Sequence, residues 1–195
     1  IRDGQSSRWL GDVYKRQPSE WFVKLLWKFH PDLDESAKKI QMNQLKRLDA
    51  VCMELDRRLM LELILPEGMD QQGECLAQSM EEVYQAQVYP FWWKIAAPSD
   101  QNEWEQVTRI LDKHDPQAGV ILLGKNAPIE DFAEWFRVVR SSPYACGFAI
   151  GRSIFWQAWL DFASGKLASD EIPDIISQHY LHLIELWDSA KNQES

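Results

Sequence analysis

Three charged side chains interrupt apolar runs that are otherwise suited to buried strands. Lys94 lies in the run WWKI, Glu62 in LMLELIL and Lys24 in VKLL. Burying an unpaired charge costs several kcal/mol, so such residues are paired, stand at a strand end or are functional. A desolvated lysine near a second cation has a lowered pKa, and its free amine can attack a ketone. A carboxylate nearby can act as a general acid or base.

Each of these residues also has a structural interpretation. Lys94 could send its ammonium to water from a strand end, and Glu62 could form an ion pair with Lys24 or Lys94. Lys28 lies on the same predicted strand face as Lys24 and could take the place of that lysine. The local sequence alone leaves both interpretations open.

Four further residues are typical of a phosphate or substrate site. Gly124 follows the run GVILL, and Gly151 and Arg152 follow the run GFAI. Backbone N–H groups at a helix start together with a guanidinium bind phosphate well. His30 precedes Pro31 at the end of a predicted strand, and it either contacts substrate or shapes the turn.

These residues are positioned by strands that alternate with amphipathic helical segments, a pattern that predicts an α/β fold with a parallel sheet. No dinucleotide or P-loop glycine motif is present. We expect the C-terminal part of a (β/α)8 barrel, about five βα units, because a whole barrel needs roughly 250 residues. The apolar runs are Phe22–Trp27, Leu59–Leu65, Phe91–Ala96, Gly119–Gly124 and Gly147–Gly151. The helical segments are Ala37–Arg58, Gly73–Gln85, Asn102–Lys113, Ile129–Arg140 and Ile172–Ser189.

Composition narrows the class of protein further. The 195 residues carry a net charge of -9, which argues against a nucleic-acid groove. No apolar run is long enough for a membrane span, and the three dispersed cysteines indicate a reduced, cytoplasmic protein. No cluster of metal-ligating residues is evident in the sequence.

The apolar residues of the first seventeen positions do not repeat with the period of a helix or a strand. Their end, DVYKRQ, looks like a translated sequencing adapter, so residues 1–17 are predicted to lie outside the fold. Residues 18–195 are then the partial barrel. We expect further βα units upstream, and we expect this chain by itself to be unstable and inactive because of its open sheet edge.

The runs, taken in order, resemble one known family. VKLLWKFHPD, LMLELILP, FWWKIAAP, GVILLGKNAPIEDF and GFAIGRSIFW are similar to a bacterial aldolase domain of inositol catabolism. That domain is commonly fused behind the sugar kinase 5-dehydro-2-deoxygluconokinase and is related to the class I tagatose-bisphosphate aldolases. The resemblance covers Pro18–Trp187.

The resemblance implies roles for specific residues. The Schiff-base lysine of the family falls on Lys94, its acid/base glutamate on Glu62 and a further lysine on Lys24. Its phosphate-binding Gly-Arg pair falls on Gly151 and Arg152.

The implied reaction cleaves 2-deoxy-5-keto-gluconate 6-phosphate to dihydroxyacetone phosphate and malonate semialdehyde, without a cofactor or metal. The implied partners are this keto-sugar phosphate and the fused kinase, and a homo-oligomer is left open. Ala96 departs from the family, which usually has an acid there. A catalytically weak sugar-phosphate-binding regulatory domain is therefore the alternative, and a structural domain with a buried ion network is a third interpretation.

Overall fold

The computed structural model describes residues 21–70 and 73–191. The segment 1–17, for which the sequence predicts an adapter origin, lies outside these residues. Within the described part, no helix is both long and apolar enough to cross a membrane.

Strands and helices alternate along the described chain. The strands are β1 (Val23–Lys28), β2 (Leu59–Ile64), β3 (Trp92–Ala96), β4 (Gly119–Leu123) and β5 (Ala145–Phe148). The helices are α1 (Glu35–Glu54), α2 (Gly73–Gln85), α3 (Gln101–His114), α4 (Phe132–Val139), α5 (Arg152–Ala163) and α6 (Ile172–Lys191). A 3-10 turn at Ile129–Asp131 leads into α4.

The five strands form one sheet in the order β1-β2-β3-β4-β5. β1 pairs in parallel with β2 from Val23↔Leu59 to Lys28↔Ile64, and β4 pairs in parallel with β5. A sheet whose strand order follows the chain is singly wound, as in a (β/α)8 barrel, whereas a doubly wound sheet reverses direction. The predicted α/β class and parallel sheet are confirmed.

The described residues divide into two compact units. The first extends to Trp93 and includes Arg109–Ala118, and the second comprises Lys94–Thr108 and the residues from Gly119 onward. The first unit has a core of fully buried side chains, among them Phe29, Leu61, Leu63, Met80, Tyr84 and Trp93. The second unit buries, among others, Ile95, Leu122, Phe132, Phe136, Val139 and Leu183.

The last strand differs from its predicted position. It covers Ala145–Phe148 rather than Gly147–Gly151. The Val120 N–H donates to Tyr144 O at 2.7 Å, and the pairing then shifts register between Val120 and Ile121. Pairing with β4 therefore begins before the apolar run, and the end of that run leads into the start of α5.

Candidate functional site

Lys24 and Glu62 form an ion pair on one face of the first unit's sheet. In the parallel register Lys24 lies opposite Met60 and Leu26 lies opposite Glu62, so both charged side chains leave the sheet on the same side. The Glu62 side chain is 9% exposed and that of Lys24 is 43% exposed. The carboxylate is thus largely removed from water, with an ammonium beside it.

Lys94 lies at the middle of β3 and is half-buried. Its neighbours Trp93 and Ile95 are completely buried. The Trp93 Nε1–H donates to Tyr84 Oη on α2 at 2.7 Å, so this face of the strand is turned towards that helix. Because side chains alternate along a strand, Lys94 leaves β3 from the opposite face.

His30 is completely buried just after β1. The Asp32 backbone N–H donates to its Nδ1 at 3.1 Å, and its Nε2 lies 3.0 Å from Asp70 O. Of the two roles left open for His30, this geometry supports the shaping of the turn. A contact with substrate stays a prediction.

Gly124 is enclosed at the end of β4. A Cβ placed on it would lie 3.0 Å from Ile150 Cγ2, 3.0 Å from Phe132 Cζ and 3.2 Å from Ser153 Oγ. Only glycine fits this position without displacing a neighbour. The chain after β4 therefore passes directly beside the first turn of α5.

Gly151 is the residue before α5, and Arg152 is the first residue of the helix. The N–H groups of Ile154 and Phe155 donate to Gly151 O at 2.8 and 3.3 Å, so the helix begins here without a capping side chain. The N–H groups that precede these two at the start of a helix have no acceptor within it and can bind an anion. Arg152 is exposed and can add a guanidinium.

Ser153, the second residue of α5, is a further candidate whose role is not evident from the sequence. Its Oγ is buried and has no hydrogen-bond partner among residues 21–70 and 73–191. A serine in the first turn after a Gly-Arg pair was the available signal, because a hydroxyl there can donate to the same anion.

The structure brings the predicted residues together in two groups, one in each unit. Lys24 contacts Glu62 in the first unit, and Gly124 adjoins the segment that carries Gly151 and Arg152 in the second. Lys94 is in the second unit. No three His, Cys, Asp or Glu side chains of the described chain are grouped so that they could hold a metal ion.

Comparison with solved structures gives the class of fold. A Schiff base-forming fructose-1,6-bisphosphate aldolase matches with a TM-score of 0.54 and 15% identity over 77% of this chain and 58% of that one. The protein Cgl0159 from Corynebacterium glutamicum matches with a TM-score of 0.54 and 18% identity over 80% of this chain and 52% of that one. The fold is therefore that of a partial (β/α)8 barrel, as predicted.

The family of the chain is shown by comparison of its sequence with known families. Residues 5–191 match the family described as "Uncharacterized protein conserved in bacteria (DUF2090)", and the chain belongs to that family. No curated protein matches the chain. The chain spans 58% and 52% of the length of the two solved structures.

Proposed function

We propose that this chain carries the Schiff-base site of a class I aldolase that cleaves 2-deoxy-5-keto-gluconate 6-phosphate in inositol catabolism. The observation that carries the proposal is Lys94, a half-buried lysine at the centre of a strand whose neighbours are completely buried. A lysine in such a place is either paired or functional, and an amine partly withdrawn from water on a strand is a candidate nucleophile. The similarity of the fold to that of a Schiff base-forming aldolase supports this role.

In the proposed mechanism the Lys94 amine attacks the C5 ketone and water leaves, which gives an iminium. The hydroxyl proton at C3 passes to Glu62, the C3–C4 bond breaks, and its electron pair moves into the iminium to give an enamine. Malonate semialdehyde leaves first. Protonation of the enamine at C4 and hydrolysis then release dihydroxyacetone phosphate.

Lys24 and the start of α5 have supporting roles in this proposal. The Lys24 ammonium beside Glu62 supplies positive charge where the proton is transferred. The N–H groups at the start of α5, with Arg152 and the adjoining segment at Gly124, would hold the phosphate. Because a bound phosphate holds the reacting carbons in place, the residues that bind it contribute to the reaction rate as well as to substrate affinity.

Turnover of the keto-sugar phosphate tests this proposal. In the protein that carries this chain, Lys94→Met should lower kcat about a thousandfold or more, because the iminium cannot form. Lys46→Met, which replaces an exposed lysine of α1, should leave kcat unchanged. Equal rates for Lys94→Met and the parent protein would remove Lys94 from the mechanism.

A second candidate function rests on Ala96. This residue ends β3, two positions after Lys94, where the resembling family usually has an acid. A domain that keeps the phosphate site without this acid could bind a sugar phosphate and regulate an attached sugar kinase. Phosphate-dependent binding of dihydroxyacetone phosphate without any turnover would favour this candidate.

A further inference from the structure

His30 stands where two loops leave the sheet. The β1 loop (residues 29–34) follows β1, and the β2 loop (residues 65–70) follows β2. The Phe29 N–H donates to Ile64 O at 3.1 Å, so pairing between the two strands continues to this point. The Leu33 N–H donates to His30 O at 3.1 Å, which closes the β1 loop into a turn.

The hydrogen bonds fix the tautomer of the His30 ring. Nδ1 accepts from the Asp32 N–H and therefore carries no proton. Nε2 carries the proton of the neutral ring and donates it to Asp70 O, 3.0 Å away. Both nitrogens of a completely buried imidazole are thus engaged with backbone, one in each loop.

Charged groups of both loops influence one neighbouring thiol. Burial raises the pKa of the Cys75 thiol at the start of α2, and the carboxylates of Asp70 and Asp32 raise it further. One carboxylate comes from each loop, and both act on a single thiol. Asp32 Oδ2 is also 3.8 Å from His30 Nδ1.

We propose that His30 is a positioning residue, a neutral imidazole bridge that holds the β2 loop against the β1 loop. Loops at the carboxyl ends of parallel strands form the active site of barrel enzymes. The bridge would therefore fix the ends of the strands that carry Lys24 and Glu62. The importance of the bridge for catalysis rests on the proposed aldolase function, whereas the existence of the bridge rests on the hydrogen bonds of His30 alone.

Backbone hydrogen exchange of the full chain tests the bridge without an activity assay. His30→Ala should speed exchange in both loops about tenfold, because each loses its contact with the ring. His30→Gln places an amide near the position of Nε2 and should restore protection in the β2 loop only. His30→Asn places an amide near the position of Nδ1 and should restore protection in the β1 loop only.

A histidine in the second unit provides the control. His179 Nδ1 lies 2.8 Å from Ile154 O, and His179→Gln should leave exchange in both loops unchanged. Unchanged exchange in the β2 loop of a folded His30→Ala variant would overturn the bridge. If that variant does not fold, the nitrogen NMR shifts of the native ring decide, and a proton on Nδ1 overturns the proposal.

The consequence for catalysis is measured separately. If the aldolase proposal is correct, His30→Gln and His30→Asn should both need more dihydroxyacetone phosphate for half-maximal Schiff-base formation, with attachment still at Lys94. A native protein that forms no adduct would contradict the aldolase function while leaving the exchange result intact. Formation of the adduct at unchanged ligand concentration in both variants would show that the bridge does not position the site.

Discussion

Gly124 shows how a single residue joins the fold to the proposed phosphate site. Its Cβ position is closed by Phe132, which is completely buried against Trp135 and Phe136, with ring centroids 4.9 and 5.7 Å away. Such a ring cannot move aside cheaply in a close-packed core. The glycine therefore permits the close approach between the end of β4 and the first turn of α5.

Gly124→Ala should consequently destabilise the protein. Displacing the enclosing side chains by a few tenths of an ångström costs about 1–3 kcal/mol. Urea unfolding should show this as a lower midpoint with an unchanged slope.

Gly151→Ala is the matched control for this experiment. A Cβ at Gly151 would lie 3.4 Å from Phe155 Cε1, which is an ordinary contact, and its φ of -122° suits any residue. We expect a change of about 0.5 kcal/mol or less. Equal losses for the two variants would mean that the packing around Gly124 is not what requires a glycine.

Residue types in the sequence suggested an ion pair for Glu62 but left Lys24 and Lys94 open as its partner, and the structure shows the pair with Lys24. A charge within an apolar strand needs a partner of opposite sign. The glutamate and each lysine lie on neighbouring predicted strands, so each lysine can serve as the partner of the glutamate. The sequence could not determine which role His30 has. The two hydrogen bonds of its ring depend on the path of two loops that are forty residues apart along the chain.

At the scale of elements, an ion-pair cluster joins α2 to the end of α3. Lys113 Nζ and His114 Nε2 each lie 2.8 Å from a Glu81 carboxylate oxygen, and the Glu81 side chain is 18% exposed. The His114 ring stacks on Tyr84, with centroids 5.0 Å apart. The hydrogen bond from Lys113 is the main cause that lowers the pKa of Glu81 to about 2.

This lowered pKa predicts a specific dependence of stability on pH. A carboxylate whose folded pKa is below its unfolded value of 4.5 stabilises the fold above pH 4.5, and the effect is lost as pH falls towards 2. Glu81→Gln should therefore be less stable than the parent protein at pH 7, by about 1–3 kcal/mol. The difference should shrink between pH 4.5 and pH 2 in urea unfolding curves.

Glu134→Gln is the control on an exposed pair. Arg137 lowers the pKa of Glu134, but the Glu134 side chain is 59% exposed and solvent screens the interaction. This variant should change stability much less than Glu81→Gln at every pH. A Glu81→Gln deficit that stays constant down to pH 2 would contradict the role given to the charge.

Helix ends were predictable where the chain supplies local signals. The bounds of α2 were predicted correctly, whereas α1 ends at Glu54 rather than Arg58. Asp56 takes a φ of 50°, and the Arg57 N–H donates to Cys52 O at 2.8 Å. The helix is therefore ended by an aspartate in the left-handed conformation. Glycine usually takes this position, so the sequence lacks the usual signal for a helix end.

α5 was not predicted as a helix, for a different physical reason. The apolar residues of α5 occupy nearly all faces of the helix, so no helical period stands out in its sequence. Some of them are buried and others exposed: Ile154 and Ala158 are buried, and Phe155, Trp156 and Trp159 are exposed. The signal that marks its end was available. Gly165 has a φ of 75°, and its N–H donates to Phe162 O at 2.9 Å, as glycine does after a helix.

At the scale of the whole molecule, the order of elements determines the fold more than the identity of residues does. Identities of 15% and 18% accompany TM-scores of 0.54, because alternating buried strands and amphipathic helices can be encoded by many sequences. The parallel sheet was predictable from that alternation. The register shift in β5 was not, because it depends on pairing between strands rather than on either run alone.

Reductive trapping is the experiment that bears most closely on the Schiff base proposed for Lys94. The protein that carries this chain is treated with borohydride in the presence of dihydroxyacetone phosphate, and the adduct is mapped by peptide mass spectrometry. The proposed mechanism predicts one adduct, on Lys94, that is absent from Lys94→Met and present in Lys46→Met. An adduct on Lys24 or Lys28 instead, or no adduct at all, would contradict it.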